Sequence, residues 1–438
     1  MRHAAGSLAL ANDFANWRAR LGMRGFGARG PGLGGFCGAA AARLAVVAAV
    51  LSLAGCMGMD AATRGGDGSD FTAAAPVDPV QSQPLAAPQG AAQIGSGPVK
   101  VALILPLTQG AGPSAVGTSL RNAADLALSE AGSTDVTLLV KDDQSTAAGA
   151  QAAAQAAVAD GADLIIGPLF SPSVRAAAQI ASGAHKPMIA FSTDASVAQP
   201  GVYLLSFLVE TYVDRIVDFA ISKGKKSFAA LIPYNDYGRI AAAEFQQAAA
   251  RRGVRVMEIE HYQAQTANAA VRKIAALGDQ IDALFIADQA SAMPAMAQAL
   301  SANGLTSRKV QILGTGLWND ARVLSLPALQ GAWFAAPDNT GFNAFAARYR
   351  AKYGSDPTRI ATLSYDAVSL AVALAHRPGP DRFSTAVLTN HAGFNGADGV
   401  FRFRPNGLND RGLAIMEINN GTAVQLSPAP HVLSASAT

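Results

Sequence analysis

Two loops rich in hydroxyl side chains follow neighbouring apolar runs in the first half of the chain. Ser171 follows one run, and Ser192, Thr193 and Ser196 follow the next. A serine before a proline, as at Ser171-Pro172, is typical of a helix start, where unpaired N–H groups attract a carboxylate or phosphate. Each loop could equally do no more than cap its own turn. Because parallel strands end at one edge of a sheet, we expect both loops to meet there and to bind a polar ligand.

Aromatic side chains stand at two comparable points in the second half of the chain. Tyr237 follows an apolar run at 227–232 and offers a ring with a hydroxyl. Trp318 lies in a glycine-rich loop after the run at 310–313. Either ring could line a ligand cleft, and either could instead pack in the core below its loop. The sequence leaves both alternatives open.

The chain lacks the residue patterns that common enzyme and metal sites require. Its six histidines and two cysteines show no metal-ligand spacing. Neither a G-x-S-x-G elbow nor a G-x-x-x-x-G-K-[ST] phosphate loop occurs. A G-x-G-x-x-G match at 30–35 follows no predicted strand, so we reject it as a dinucleotide site. We therefore predict no catalytic residue, no metal and no cofactor, and a protein that is not an enzyme.

Strands and helices alternate along the chain in two runs. The first run has predicted strands at Val99–Leu105, 136–140, 163–167 and 187–191, and the second has four more between 227 and 313. Short alternating units of this kind give parallel sheets with right-handed crossovers. The sequence therefore predicts the α/β fold class, with two doubly wound parallel-sheet lobes.

The alternation stops after the second run. Two or three helices are predicted there, at 342–353, 358–376 and 381–390. A strand at 399–404 follows, and Pro405-Asn406-Gly407 indicates a turn after it. We expect the strand at 413–418 to pair with the strand at 399–404 as a hairpin.

The N-terminal residues have the pattern of an export signal. Arg43 precedes an apolar stretch of ten residues, 44–53, and two small residues and Cys56 follow. This order is typical of a secretory signal, and the apolar stretch is far shorter than the roughly 20 residues that span a membrane. Residues 53–56 resemble a bacterial lipobox, which implies that Cys56 is lipidated and becomes the new N-terminus. An ordinary signal peptide is the alternative.

Composition and charge exclude one class of partner. Residues 1–55 contain six arginines and one aspartate, so the formal charge of +3 becomes −2 without them. A near-neutral protein gives no reason to expect a nucleic-acid partner. Residues 56–98 are rich in Gly, Ala, Pro, Ser and Gln without a hydrophobic period, and we predict a disordered tether there. Residues 427–438 are predicted to be a disordered tail.

Several motifs, taken in their order and spacing, resemble those of the type 1 periplasmic binding proteins, in particular the leucine/isoleucine/valine-binding branch. They are the run at 101–117, IIGPLFS at 165–171, IAFSTDAS at 189–196, NDYG at 235–238 and GVFRFRPNG at 399–407. The resemblance implies the periplasmic binding protein-like I fold, in which two lobes joined by a three-crossing hinge close on a ligand. We expect the crossings near Phe207, Trp333 and Asn395.

These crossings give the expected domain boundaries. The first lobe is predicted to be residues 99–207 plus 334–395, and the second to be residues 208–333 plus 396–426. The signal peptide is predicted at residues 1–55, before the tether.

The resemblance also implies roles for individual residues. Ser171, Ala195 and Ser196 match positions that hold the carboxylate and ammonium of an amino acid, and Tyr237 matches a contact from the second lobe. Ser192 and Thr193 are further candidates because of their hydroxyls. The amino-acid binders carry an acid in the loop after the last strand of the second lobe, whereas here residues 314–317 contain none. A buried ammonium needs a charged partner, and we expect Asp288 to substitute.

Two functions follow from the resemblance. The first is a lipid-anchored, periplasmic solute-binding protein that presents a small polar ligand, such as an amino acid, to an ABC permease. The second is a lipoprotein that activates a penicillin-binding protein, a peptidoglycan synthase, because LGTGLWND at 313–320 is more similar to that branch. In both, the lipid on Cys56 would attach the protein to the inner or the outer membrane.

Overall fold

The computed structural model describes residues 92–433. The predictions for the signal peptide, Cys56, almost all of the tether and the last five residues lie outside this range. No helix among residues 92–433 is long and apolar enough to cross a membrane.

The first lobe is built on a six-stranded sheet. The strands of this part of the chain are β1 (Gln93–Gly95), β2 (Val99–Leu105), β3 (Thr108–Gln109), β4 (Gly112–Pro113), β5 (Val136–Asp142), β6 (Leu164–Ile166), β7 (Met188–Ala190) and β8 (Val202–Leu204). The sheet has the order β1-β5-β2-β6-β7-β8, and all its neighbours are parallel except β1 with β5. The apolar runs of β6, β7 and β8 are fully buried, as expected for strands covered on both faces. The four predicted strands are confirmed, and the three-residue strands β1 and β8 are additions. Strand β1 lies within residues 56–98, so the end of the predicted disordered tether is ordered.

Helices cover both faces of this first sheet. They are α1 (Ala115–Ala131), α2 (Ala147–Ala159) and α3 (Ser171–Gly183). Helix α1 begins at Ser114, whose side chain accepts a hydrogen bond from the N–H of Gly117, and α2 begins in the same way at Thr146. The apolar stripe of α1 packs in one core and the alanines of α2 and α3 pack in the core on the opposite face.

The second lobe repeats this plan with a seven-stranded sheet. Its strands are β9 (Ser227–Pro233), β10 (Arg255–Tyr262), β11 (Ala283–Ile286), β12 (Gln311–Gly314), β13 (Trp333–Ala336) and two from the tail. Its helices are α4 (Val209–Ser222), α5 (Asp236–Arg251), α6 (Ala267–Ala275), α7 (Met293–Ala302) and α8 (Ala321–Leu324). The order is β10-β9-β11-β12-β13 followed by the tail strands, and these first five strands are parallel. The α/β fold class with two parallel-sheet lobes is confirmed.

The tail is arranged differently from the predicted hairpin. Its helices are α9 (Asn339–Tyr353), α10 (Ala361–Ala375) and α11 (Thr385–Leu388), and its strands are β14 (Phe394–Gly396), β15 (Gly399–Phe403), β16 (Asn409–Arg411), β17 (Ala414–Asn419) and β18 (Thr422–Ser427). Strand β15 pairs with β14 and β16, whereas β17 pairs with β13 and β18. The predicted pairing of 399–404 with 413–418 is therefore wrong, because the intervening β16 occupies the edge of β15 and β17 completes the second sheet.

The chain crosses between the lobes three times, and two crossings lie later than expected. The first lies between β8 and α4, in the segment that contains Phe207. The second follows β13, so Trp333 belongs to the second sheet. The third lies between β16 and β17, so Asn395 is not at a crossing. The apolar side chains of β14 and β15 pack in the core of the first lobe, which therefore includes residues 396–411, while residues 334–336 belong to the second lobe.

Candidate functional site

The two hydroxyl loops of the first lobe meet at the carboxyl edge of its sheet, as the sequence predicts. Ser171 follows β6 and Ser192 follows β7, and their Oγ atoms are 3.1 Å apart. Ser171 is the first residue of α3, but the residue before the helix is Phe170, so the predicted capping role of Ser171 is wrong. Its hydroxyl contacts the neighbouring loop because the helix starts one residue earlier than the Ser-Pro pattern indicates.

The loop after β7 is held by its own side chains. The Asp194 N–H donates to Ser192 Oγ at 3.1 Å, and the Ser196 N–H donates to Asp194 Oδ1 at 2.9 Å. This places Ala195 and Ser196 in a single 3₁₀ turn, with Thr193 exposed before it. The side-chain hydrogen bond from Ser196 is the main cause that lowers the pKa of Asp194, and Arg175, with its Nη2 3.7 Å from Asp194 Oδ2, adds to it. Asp194 therefore stays ionised at neutral pH.

The second lobe presents a different pair of hydroxyls at its carboxyl edge. Tyr237, in the first turn of α5, has its hydroxyl 2.6 Å from Thr315 Oγ1, which follows β12. Helix α5 begins at Asn235, whose side chain accepts a hydrogen bond from the N–H of Gly238. Burial raises the pKa of Tyr237, so its phenol remains protonated and acts as a neutral donor or acceptor.

Asp288 is buried and is already hydrogen-bonded within the second lobe. The Tyr262 hydroxyl donates a short hydrogen bond to Asp288 Oδ2, and the Gln289 N–H donates to Oδ1 at 2.7 Å. Burial and this contact raise the pKa of Tyr262, which therefore keeps its proton. Both carboxylate oxygens of Asp288 thus have donors from their own lobe.

Trp318 packs in the core of the second lobe. Its side chain is fully buried, and a Cβ atom on Gly314 would lie 2.3 Å from its ring. Of the two alternatives that the sequence leaves open, the structure shows core packing for this residue. The absence of a side chain at Gly314 is what lets the ring cover the end of β12.

Sequence reasoning missed two residues at the start of α4, directly after the first crossing. Tyr212 packs against Gly316, where a Cβ atom would lie 2.5 to 2.8 Å from its ring. Burial raises the pKa of Tyr212 to about 12. Glu210 lies in the first turn of the same helix, and its Oε2 atom is shielded from solvent and accepts no hydrogen bond. An acid at the start of a helix is too common for its type alone to single out Glu210.

A cluster of four charged residues, three of them buried and Arg359 partly exposed, connects the crossings. We call it the hinge cluster: Arg359, Asp366, Asp398 and Arg411. Arg359 donates two hydrogen bonds, of 3.0 and 2.7 Å, to the fully buried carboxylate of Asp398. The guanidinium of Arg411 lies 4.6 Å from the centre of the Phe207 ring and that of Arg359 lies 5.0 Å from it. The first crossing is thus held between two cations.

The third crossing is tied to the first through the same cluster. Arg411 Nε donates to the carbonyl oxygen of Ser206 at 3.1 Å, and Asn409 Nδ2 donates to the same oxygen at 3.0 Å. Asp366 accepts a hydrogen bond from the Ala397 N–H at 2.6 Å. Burial first and then the charge of Asp398 raise the pKa of Asp366 to about 7.

Nothing in the arrangement of residues 92–433 resembles a metal centre. No group of three or more His, Cys, Asp or Glu side chains converges within this range. The polar groups at the two carboxyl edges are hydroxyls, backbone N–H groups and single carboxylates, which bind organic solutes by hydrogen bonds.

Comparisons with known proteins agree with this architecture. The family model described as periplasmic binding protein matches residues 98–423. A search of curated proteins found no match. Similar solved structures include a protein of Rhodospirillum rubrum described as a branched-chain amino acid ABC transporter, with 20% identity, a TM-score of 0.66, and coverage of 75% of this chain and 99% of that one.

Two further similar structures were solved with ligands. LivJ of Streptococcus pneumoniae, in complex with isoleucine, is 20% identical, with a TM-score of 0.53 and coverage of 76% of this chain and 99% of that one. A solute-binding protein of Rhodopseudomonas palustris, in complex with 3,4-dihydroxybenzoic acid, is 21% identical, with a TM-score of 0.55 and coverage of 78% and 99%. At these identities the likeness is one of fold. Because the family model spans most of the chain, this protein belongs to the periplasmic binding proteins, which are extracytoplasmic, non-enzymatic solute-binding proteins.

Proposed function

We propose that the protein is the lipid-anchored solute-binding component of an ABC transporter for an amino acid or a related small polar solute. The observation that carries this proposal is the pair of polar edges, one in each lobe. The Ser171–Ser192 pair ends the first sheet and the Tyr237–Thr315 pair ends the second. Both pairs lie at the carboxyl ends of parallel strands, where ligands bind in open α/β sheets.

The solute in this proposal is held mainly by the first lobe. Ser171 and Ser192 supply hydroxyls, and Thr193, Ala195 and Ser196 supply the exposed turn beside them. Isoleucine and 3,4-dihydroxybenzoic acid, the ligands of the two similar structures, share a carboxylate, which a hydroxyl-rich turn at a helix start would accept. Tyr237 adds a contact from the second lobe. We leave Asp288 and Trp318 out of the contact set because their polar atoms and ring face their own lobe.

A thermal-shift panel tests the proposal. The panel contains the twenty amino acids, isoleucine and leucine among them, together with 3,4-dihydroxybenzoate and 4-hydroxybenzoate. A solute that binds the folded protein raises the melting temperature by mass action, by an amount that grows with its concentration. At least one member of the panel should do so, and a flat panel would contradict a transport role for this class of solute.

Lipid attachment at Cys56 is a separate part of the proposal and has its own test. Labelling of cells with palmitate should tag the wild-type protein and the Cys37→Ser variant, since Cys37 lies in the predicted signal. The Cys56→Ser variant should lose the label. Persistence of the label in that variant would exclude the anchor.

A peptidoglycan synthase as partner is the alternative outcome. It is supported by the run at 313–320, which begins in the last two residues of β12 and includes Thr315. Capture of a penicillin-binding protein by the purified protein, together with a flat thermal-shift panel, would favour this alternative. Binding of a small solute without such capture would favour transport.

A further inference from the structure

The last strand of the second sheet forms a lateral edge that is uncharged and apolar. Within residues 92–433, β18 pairs only with β17, so its other side is free. Four of its six residues are exposed, and the exposed fractions of Val424 and Leu426 are 44% and 42%. No Asp, Glu, Lys or Arg occurs between residues 418 and 438. A free edge of this composition is a template for pairing with another strand.

The other three lateral edges of the two large sheets are protected in ways that natural proteins commonly use. Strand β1 has only three residues. Strand β8 is covered by the turn after β15, where the Leu204 N–H donates to the Gly407 carbonyl oxygen at 2.7 Å. Strand β10 carries Arg255, Glu258 and Glu260. Among residues 92–433, β18 is therefore the edge strand of a large sheet that has none of these protections.

The turn at 420–421 and a bulge at Leu426 limit the regular part of this edge. Both turn residues have positive φ, 49° and 75°, as in the two-residue hairpins whose first strand pair bonds inward. The backbone groups of Ala423 and Gln425 therefore point away from β17. Leu426 falls between two neighbouring pairs of the ladder with β17 and is the extra residue of the bulge. An added strand would therefore pair along the part that is centred on Val424.

A second copy of this chain fits this edge because the pairing opposes no like charges. About a two-fold axis, Val424 lies opposite Val424 of the second copy, and Ala423 lies opposite Gln425. The same operation on β10, centred on either of its two middle residues, would place Glu258 opposite Glu258 or Glu260. Like charges in opposite positions are destabilising. Charge therefore permits self-association at β18 and opposes it at β10.

We propose that the protein forms a two-fold dimer in which two copies of β18 pair side by side and join their second sheets. Backbone hydrogen bonds between Ala423 and Gln425 hold the two strands, and the two Val424 side chains pack against each other. A contact limited to one short strand from each copy buries less than the roughly 1,000 Å² of a stable interface, so the dimer is weak and forms at high concentration. This inference does not depend on solute binding.

Sedimentation velocity over a concentration series tests the dimer. The sedimentation coefficient of the wild-type protein should rise with concentration from the monomer value toward that of a dimer. Val424→Lys places two like charges opposite each other at the two-fold axis, so it should weaken association about tenfold or more. The matched control His261→Lys puts the same charge on the β10 edge and should leave association unchanged. A monomer at every concentration, or unchanged association of Val424→Lys, would overturn the proposal.

Oxidative cross-linking tests the register of the two strands. In a chain whose Cys37 and Cys56 are replaced by serine, Val424→Cys should form a disulfide-linked dimer, because side chains at such opposed positions have Cβ atoms about 4.5–5.5 Å apart. Val432→Cys is the control, since Val432 is 71% exposed but lies beyond the strand, and it should cross-link far more slowly. Equal rates for the two variants, or cross-linking of Val424→Cys in cells only to a different protein, would exclude a second copy as the occupant of this edge.

Discussion

The hinge cluster and the polar edges of the two lobes use charge in opposite ways. In the hinge cluster two arginines face two aspartates, and Arg359 donates two hydrogen bonds to Asp398, while Asp366 Oδ2 and both Nη atoms of Arg411 are buried without a hydrogen-bond partner among residues 92–433. At the edges, hydroxyls contact one another: Ser171 contacts Ser192, and Tyr237 contacts Thr315. Opposite charges packed against one another support the crossings, whereas the hydroxyls at the two edges are available to a solute. Substitutions in the hinge cluster should therefore change folding stability, and those at the edges should change binding.

The largest effect is expected from Asp398→Ala in the hinge cluster. The change leaves Arg359 without its carboxylate and removes the acceptor of the Thr362 hydroxyl. We expect unfolding in urea to report a loss of about 3 kcal/mol, at the low end for a broken buried pair because the Arg359 side chain is partly exposed. Asp356→Ala breaks the exposed pair with Arg350 and should cost less than about 1 kcal/mol. Similar losses in the two variants would contradict the buried role of Asp398.

The second prediction concerns Asp366 and pH. Its pKa is about 7 in the folded protein and 3.8 in the reference state, so between these values the folded protein holds a proton that the unfolded chain releases. This contribution to stability is present below the unfolded pKa and is lost as the pH rises through 7, at up to about 1.4 kcal/mol per pH unit. Asp366→Asn should remove it, which urea unfolding from pH 4 to 8 would detect. Identical pH profiles of wild type and variant would refute the assignment.

A smaller effect is expected where the second edge meets α4. In Gly316→Ala the new methyl group would enter the ring of Tyr212, and overpacking of this kind costs about 1–3 kcal/mol. Gly112→Ala in the first lobe is the control, since nothing lies within 4 Å of a Cβ atom there. The melting temperature should fall for the first variant and stay unchanged for the second. A fall in both would mean that the Tyr212 contact is not the cause.

The smallest effect on stability, with an effect of similar size on binding, is expected from Tyr237→Phe. The change removes one hydrogen bond to Thr315, worth about 1 kcal/mol, and solute affinity should fall about fivefold with it. Tyr203→Phe removes a comparable bond to Thr385 in the first lobe, away from the edges, and should leave affinity unchanged. Calorimetry with the best solute of the thermal-shift panel distinguishes the two. Equal loss of affinity in both would place Tyr237 outside the site.

The sequence predicts the parts of this fold that local patterns encode. Continuous apolar runs such as that of β2 are typical of strands covered on both faces. The alternation of such strands with helices predicts both parallel sheets. Strand β8 has only three residues, and β13 and β18 lie outside the regular alternation of strands and helices. Hydrophobic periodicity along the sequence therefore does not detect these three strands. The partner of β15 could not be found either, because pairing depends on which sheet has a free edge.

The candidate site likewise contains parts that the sequence predicts and parts that it does not. The hydroxyl loops were predictable because each directly follows a strand, and the meeting of Ser171 with Ser192 requires only that the strands be neighbours. Other features depend on packing between distant segments. They are the capping residue of α3, the core position of Trp318 and the lack of an ion pair at Glu210 within residues 92–433. The hinge cluster joins residues from 359 to 411 and contacts Ser206, and a single sequence gives no signal that these charges converge.

Closure of the two lobes around a solute is the central claim, and small-angle X-ray scattering tests it most directly. The measurement compares the protein alone with the protein saturated by the solute that gives the largest thermal shift. The account predicts a smaller radius of gyration with the solute, because the polar edges of the two lobes approach each other about the hinge. Scattering curves that coincide at saturation would contradict it.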